Sequence, residues 1–194
     1  MNKSISKKLI LTALIAIVST GLSFGQKSYA LKGTITVDGT SNTHDWTVKS
    51  ESLNGTFTMT GNSVESITVK VPVESLKSIL ESKFERKQME NLILKAFNNE
   101  KYPTITFQLT DSFIPTQTGS SAVTVSGNLN MNGVTKKITF KADGKQIAGG
   151  GFQYRATVPL KFTEYGMKPP VALMIMRVKD PVTVKLDINI PALN

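Results

Sequence analysis

The chain has 194 residues, a formal charge of +9 at pH 7, a single histidine and no cysteine. The absence of cysteine excludes disulfides and thiolate metal sites. One histidine leaves only carboxylates to complete a transition-metal site, so we expect no metal and no cofactor. The lysines are scattered rather than clustered in a stripe with aromatic side chains, which argues against nucleic-acid binding.

The first 25 residues have the pattern of a signal peptide. Lysines at positions 3, 7 and 8 precede an apolar run over residues 9–18, and small residues at 23 and 25 mark a cleavage point before Gln26. Residues 28–30 offer a second cleavage site. A membrane anchor is the alternative, but the run is shorter than the roughly 20 residues that span a bilayer. We predict a signal peptide over 1–25 and one domain over 26–194, in the periplasm or secreted.

The first half of the mature chain alternates apolar and polar residues, which is the period of half-buried strands. This alternation predicts strands at residues 29–37, 46–48, 53–59 and 67–73. Asp38-Gly39 and Gly61-Asn62 have the composition of turns.

One main helix is predicted over about residues 82–98, because its apolar residues recur at helical spacing: Met89, Leu92, Ile93, Ala96 and Phe97. Ser82 with Glu85 forms a possible capping box, and Ser78 with Glu81 offers the same device one turn earlier. Pro103 ends the helical pattern, and a strand over 104–110 follows. The apolar face of this helix must pack on a sheet or across the mouth of a barrel.

The second half again reads as strands. Alternation predicts them at residues 123–131, 138–142, 152–160 and 184–190. Asn132-Gly133 is a strong hairpin signal, and turns are also predicted at Asp143-Gly144 and at the glycines of 149–151, while Asp180-Pro181 precedes the final strand. The apolar run over 171–176 lacks alternation, so we expect both of its faces to be covered. About eight to ten short strands favour a sandwich or an up-and-down barrel.

Four stretches occur in an order that resembles the YceI-like family of exported bacterial lipid-binding proteins. They are residues 39–46, ending in His-Asp-Trp, the Tyr-Pro-Thr-Ile-Thr-Phe block of 102–107, the hairpin of 127–136 and Tyr-Gly-Met-Lys-Pro-Pro at 165–170. The resemblance covers nearly all of the mature chain. Asp45 follows His44 here, whereas other members of the family carry Ser or Thr at that place.

The resemblance implies an all-β fold, an extended lipocalin-like antiparallel β-barrel of about eight strands with one main α-helix at about residues 82–98. It also implies a periplasmic protein that holds a polyisoprenoid or similar long amphiphilic chain inside the barrel. A transient contact with the envelope membrane and a homodimer are further associations that the sequence leaves open.

Candidate ligand contacts follow from this expectation. Polar contacts to a ligand are predicted at His44, Tyr102 and Arg155, and an apolar wall at Phe57, Phe97 and Phe107. Trp46, the only tryptophan, either packs in the core or lines the cavity. Methionines suit a surface that accepts varied apolar ligands, although core filling is the simpler reading; the candidates are Met89, Met131, Met167 and Met174.

No catalytic residue is predicted. Asp45 would point to the opposite face of a strand from His44 and would orient it poorly, so a structural hydrogen bond is the first reading for His44 and a headgroup contact the second. The predicted function is therefore a binding protein that sequesters or carries a long-chain isoprenoid or similar lipid. The alternative is a non-catalytic envelope scaffold with a filled barrel and an exposed apolar patch that binds another protein or surface component.

Overall fold

A computed structural model describes residues 27–115, 120–149, 151–172 and 176–191. The predicted signal peptide, residues 1–25, lies outside these ranges and stays a prediction. The helix α1 spans Lys83–Ala96. The strands are β1 Lys27–Ser41, β2 Asp45–Thr60, β3 Ser63–Pro72, β4 Lys77–Ser78, β5 Thr104–Leu109, β6 Ser120–Met131, β7 Val134–Gln146, β8 Phe152–Lys161, β9 Val171–Ala172 and β10 Met176–Ile190.

The eight longer strands form a closed antiparallel barrel. Their order around the barrel is β1, β10, β8, β7, β6, β5, β3 and β2, and β2 pairs back onto β1. The short strands β4 and β9 lie beside β2 and β10. Each of the eight longer strands therefore pairs with a neighbour on both sides. The predicted eight-stranded barrel with one helix is confirmed.

Alternation along the strands sends apolar side chains into the barrel. In β1, Leu31 and Ile35 are buried while Lys32 is exposed. In β6, Val123 and Val125 are buried in the same way. Among the described residues the buried polar side chains are all serines, at positions 41, 50, 78 and 126. The interior is therefore almost wholly apolar, and this defines the site described below.

Helix α1 begins and ends where its sequence indicates. The backbone N–H of Glu85 donates to Ser82 Oγ at 3.4 Å, so Ser82 rather than Ser78 is the N-cap. Met89, Ile93 and Phe97 are buried on its inner face. The predicted helix is confirmed, and its apolar face packs across one end of the barrel.

The hairpin between β6 and β7 also follows its prediction. Asn132 and Gly133 have φ angles of 50° and 76°, both in the left-handed region. A two-residue turn of this kind matches the right-handed twist of the strands that it joins, and Asn-Gly is the pair that adopts it most readily.

Two turn predictions are wrong because paired strands run straight through them. Asp38-Gly39 lies inside β1, where Asp38 pairs with Thr47 on one side and Thr183 on the other. Asp143-Gly144 lies inside β7. The final strand also does not follow Asp180-Pro181 as predicted, because β10 begins at Met176 and Pro181 lies inside it opposite Lys161. Turn propensity is local, and ladders on both sides of a strand override it.

Two further expectations are corrected. The strands predicted at 46–48 and 53–59 are one strand, β2, which bends at a register shift where Leu53 and Ser50 face Gly33 and Ile35 of β1. The apolar run over 171–176 is not covered on both faces, because Val171 is 53% exposed. Residues 173–175 of this run lie outside the described residues.

Candidate functional site

The barrel encloses a cavity of about 180 Å³. All eight barrel strands contribute side chains to its lining, and Ile93 and Phe97 of α1 close it from one end. Among the described residues the charged members of the lining are Arg155 and Lys161, and the rest is dominated by aliphatic and aromatic side chains. Such a surface binds apolar groups by removing them from water.

Six of the predicted site residues lie in this lining. They come from four strands, from α1 and from the segment after the Phe162–Tyr165 turn: Trp46, Phe97, Phe107, Met131, Arg155 and Met167. The fold therefore brings together residues that are up to 121 positions apart in the chain, since 167 − 46 = 121. Their contact with a ligand stays a prediction.

Trp46 combines the two roles that the sequence left open. It is 5% exposed and belongs to the core, and its ring also lines the cavity. Its indole N–H donates to the Thr40 carbonyl at 3.3 Å, which satisfies its one polar atom. The ring lies over Gly39, its partner across the β1–β2 ladder, where any Cβ would overlap it.

Phe107 of β5 extends into the barrel toward Phe140 of β7. The two ring centroids lie 5.9 Å apart with a tilt of 56°, within the separation at which aromatic pairs attract each other. Both rings line the cavity and both are half-buried. The pair bridges β5 and β7 across the strand between them, β6, where the Phe107 ring lies against Gly127.

His44 lies outside the lining, on the exposed connection between β1 and β2. Its Nδ1 lies 3.1 Å from Thr43 Oγ1, and its backbone N–H donates to Ser41 Oγ at 3.1 Å. Ser41 Oγ in turn donates to the His44 carbonyl at 2.8 Å. The hydrogen-bonding role for His44 is what the structure shows.

Three other predicted residues also lie outside the lining. Phe57 is fully buried and stacks on Tyr29, with centroids 5.1 Å apart. Met89 is buried on the inner face of α1, and the ring of Tyr102 lies against Gly133 of the hairpin. These side chains pack against other residues of the protein. The alternation of apolar residues in the sequence does not distinguish such packing residues from residues of the cavity wall. Met174 lies outside the described residues.

Sequence reasoning missed several lining residues on the β7–β8 side, namely Ile138, Phe140, Leu160, Phe162 and Ile188. Alternation places most of them on an inward face, so the signal was present. What the sequence lacked was a reason to choose them over the equally apolar inward residues of other strands.

Most polar groups near the cavity are paired or neutral, and Lys161 is a charged lining residue that forms no ion pair with a described carboxylate. Arg155 Nε donates to Asp187 Oδ2 at 2.9 Å, and Gln153 Nε2 donates to Asp187 Oδ1 at 2.7 Å. Burial raises the pKa of the Tyr154 phenol, which therefore stays neutral at physiological pH. In the described ranges there is no group of three or more His, Cys, Asp or Glu side chains able to hold a metal ion.

The described part of the chain also contains no helix long and apolar enough to cross a membrane.

The sequence of this barrel is similar to those of known proteins. The family model described as the YceI-like domain matches residues 36–190. The chain belongs to the YceI-like family. A curated relative of this YceI-like chain, a UPF0312 protein of Pseudomonas putida strain GB-1, is 30% identical over 175 residues, which cover 82% of this chain and 88% of that protein. A UPF0312 protein of P. putida strain F1 is 40% identical over 80 residues, so the match spans 39% of its length and 38% of this chain.

Solved structures share the fold of this YceI-like protein. A polyisoprenoid-binding domain from Saccharophagus degradans, implicated in plant cell wall breakdown, has a TM-score of 0.64 at 13% identity, covering 85% of this chain and 98% of that one. BcnA of Burkholderia cenocepacia has a TM-score of 0.62 at 15% identity, covering 81% and 95%. The Campylobacter jejuni YCEI protein has a TM-score of 0.51 at 15% identity, covering 68% and 74%. At these identities the likeness is one of fold.

Proposed function

We propose that this YceI-like protein binds a long isoprenoid or similar amphiphilic lipid, and that it sequesters or carries the lipid after export. The apolar cavity enclosed by the barrel carries this proposal. The S. degradans neighbour, which shares the fold, is a polyisoprenoid-binding domain. A filled scaffold, the alternative from sequence, predicts no cavity.

The length of the lipid's apolar chain should dominate its affinity for the protein. Burying ten methylene groups contributes roughly 8 kcal/mol at about 0.8 kcal/mol each. Association costs an estimated 4–15 kcal/mol in lost freedom of motion. A short chain therefore binds weakly, and only a chain with many buried carbons gives a stable complex.

The cavity in this structure is smaller in volume than a long lipid chain needs. Its volume of about 180 Å³ is close to that of an engineered cavity of about 150 Å³ that holds benzene. Pockets for drug-sized ligands occupy roughly 300–1,000 Å³. A long ligand must therefore displace flexible lining side chains, and Met131 and Met167 are suited to this because their unbranched side chains change rotamer easily.

Phe107→Arg tests the cavity as the binding site. The substitution places a charge in the apolar lining, and we expect it to weaken binding of farnesol by at least about tenfold, since burying an unpaired charge is costly. Trp46 is the only tryptophan and lines the same cavity, so its fluorescence reports occupancy. Native mass spectrometry with organic extraction of the mature protein then identifies any lipid retained from cells.

Gln108→Arg is the matched control, because Gln108 is the next residue of β5 and is exposed. It adds the same charge outside the barrel and should leave farnesol affinity and retained lipid unchanged. Circular dichroism shows whether each variant keeps its fold. A folded Phe107→Arg variant that bound like the parent would remove the cavity as the site.

A further inference from the structure

The barrel wall is incomplete between β7 and β8. β7 pairs with β6 along nearly its whole length, and β8 pairs with β10 along all of it. The ladder between β7 and β8, however, runs only from Ala142 opposite Ala156 to Gln146 opposite Phe152. Residues 134–141 and 157–161 therefore flank a gap without ladder hydrogen bonds.

This gap is bounded at its far end. Beyond it, Asn132 Nδ2 donates to the Tyr165 carbonyl at 3.2 Å, which joins the β6–β7 hairpin to the turn that follows β8. Gly166 lies beside Val134, since a Cβ at position 166 would be 3.6 Å from Val134 Cγ2. The gap is thus a window with four sides, and we call it the β7–β8 window, between residues 134–141 and 157–161.

The cavity extends to this window. Four half-buried side chains at its border line the cavity, namely Ile138, Phe140, Leu160 and Phe162. Lys161 also lines it, although alternation along β8 places its side chain on the outer face. Outward-facing residues become part of an interior lining where the interior opens through the wall.

The outer rim of the window is basic. Lys141 of β7 and Lys161 of β8 are exposed, alternation places both side chains on the outer face, and no described carboxylate lies within 4.0 Å of their amino groups. Two nearby cations are already paired: Lys137 of β7 with Asp111 at 3.3 Å, and Arg155, which lies opposite Asp143 in the closed part of the ladder, with Asp187 at 2.9 Å.

Asp180 is the acidic group that the Lys161 charge reaches. Its carboxylate accepts hydrogen bonds from the Thr163 N–H at 2.9 Å and from Thr163 Oγ1 at 2.7 Å. The Asp180 carboxylate is thus hydrogen-bonded to Thr163, and the amino groups of Lys141 and Lys161, which form no ion pair with a described carboxylate, remain open to a ligand.

We infer that the β7–β8 window is the lateral entry for the lipid, and that the bound lipid carries an anionic head held outside by Lys141 and Lys161. An apolar passage edged by unpaired cations is complementary to a molecule with an apolar chain and a negative head. The inference rests on the proposed lipid binding. It adds the route and the charge of the head, neither of which follows from the cavity itself.

Closing the window tests the route, and the chain offers a clean background because it has no cysteine. Thr139→Cys with Pro159→Cys places two thiols on opposite sides of the window. They are oxidised to a disulfide, or joined by a short bismaleimide where the strands stand too far apart. The control is Pro159→Cys with Thr183→Cys, which links the same position to its ladder partner on β10.

The rate of farnesyl phosphate uptake is followed by Trp46 fluorescence. We expect the linked window variant to take it up at least about tenfold more slowly than its unlinked form, because a closed ladder leaves no gap between adjacent strands. The control link should leave the rate unchanged. Parent-like uptake by the linked window variant would overturn lateral entry.

Reversing the rim charge tests the head. Lys141→Glu with Lys161→Glu should weaken farnesyl phosphate binding about tenfold and leave farnesol binding unchanged, since only the charged head meets the rim. Lys32→Glu with Lys70→Glu makes the same charge change on exposed lysines of β1 and β3 and should alter neither affinity. Equal loss for both ligands, or for neither, would overturn the anionic head. A parent protein that bound neither ligand would instead overturn the proposed function.

Discussion

Tyr165 shows how a single buried atom can limit stability. Its side chain is completely buried, and its hydroxyl has no hydrogen-bond partner in the part of the chain that the structure describes. Burial, reinforced by the neighbouring Glu164 charge, raises the pKa of this phenol. A buried donor without a partner loses its hydrogen bonds to water and receives none in return.

Tyr165→Phe should therefore stabilise the protein. Removing the unpartnered hydroxyl while keeping the ring is expected to raise the free energy of unfolding by about 1 kcal/mol, measured by urea denaturation. Tyr29→Phe is the control, because Tyr29 is only half-buried and its stacking on Phe57 needs no hydroxyl. A loss of stability in Tyr165→Phe would show that the hydroxyl has a partner after all.

At the scale of elements, helix α1 links local sequence to the site. Its N-cap and helical spacing are local features, and both were predictable. Its position depends on contacts with the short strand that precedes it: Glu90 accepts hydrogen bonds from the Ser78 N–H at 3.3 Å and from Lys77 Nζ at 3.4 Å. These contacts join α1 to β4, and Ile93 and Phe97 then face the cavity.

Ser82→Ala should loosen this helix. An N-cap substitution of this kind costs about 0.5–2 kcal/mol, and the 3.4 Å hydrogen bond at Ser82 suggests the lower end of that range. We expect a lower urea midpoint and faster amide exchange in the first turns of α1. Ser112→Ala, at an exposed serine outside any strand, should change neither quantity. Parent-like exchange in α1 of the Ser82 variant would contradict the cap.

At the scale of the whole molecule, β1 closes the barrel because it pairs with both β10 and β2. Asp38 of β1 joins all three strands. Its carboxylate accepts from Thr47 Oγ1 at 2.7 Å, and Lys185 Nζ lies 2.7 Å from its other oxygen. The hydrogen bond from Lys185, followed by that from Thr47, lowers the pKa of Asp38 below its ordinary value of 3.8.

The pH dependence follows from this direction. A carboxyl whose pKa is lower in the folded state stabilises the fold above its unfolded pKa of about 4, and this stabilisation is lost as the pH falls through the folded value. Asp38→Asn should cost about 0.5 kcal/mol at pH 7, since the side chain is partly exposed, and the cost should shrink below about pH 4.

Urea denaturation at pH 7 and pH 3 measures this difference. Glu51→Gln is the control, because Glu51 pairs with Lys49 of the same strand and joins no other strand. It should leave the midpoint at pH 7 unchanged. An Asp38→Asn variant equally destabilised at both pH values would show that the ionised carboxylate does not stabilise the contact between β1, β2 and β10.

Much of the fold was readable because the signals were local. Alternation identified the strands, Asn132-Gly133 identified the hairpin, and the spacing of Met89, Ile93 and Phe97 identified the helix. The errors at Asp38-Gly39 and Asp143-Gly144 share one cause. A turn signal is overridden when ladders on both sides of the strand hold the backbone extended, and no local pattern shows how many partners a strand has.

The site divides in the same way. The amino-acid sequence by itself determined that the interior is apolar, because side-chain period follows from backbone geometry at each strand. Only the tertiary structure decided which apolar residues meet at the cavity: Trp46 and Phe107 line it, while Phe57 and Met89 pack elsewhere. It also decided that β7 pairs with β8 only from Ala142 to Gln146, because pairing between strands is a contact between distant segments whose register no single segment encodes.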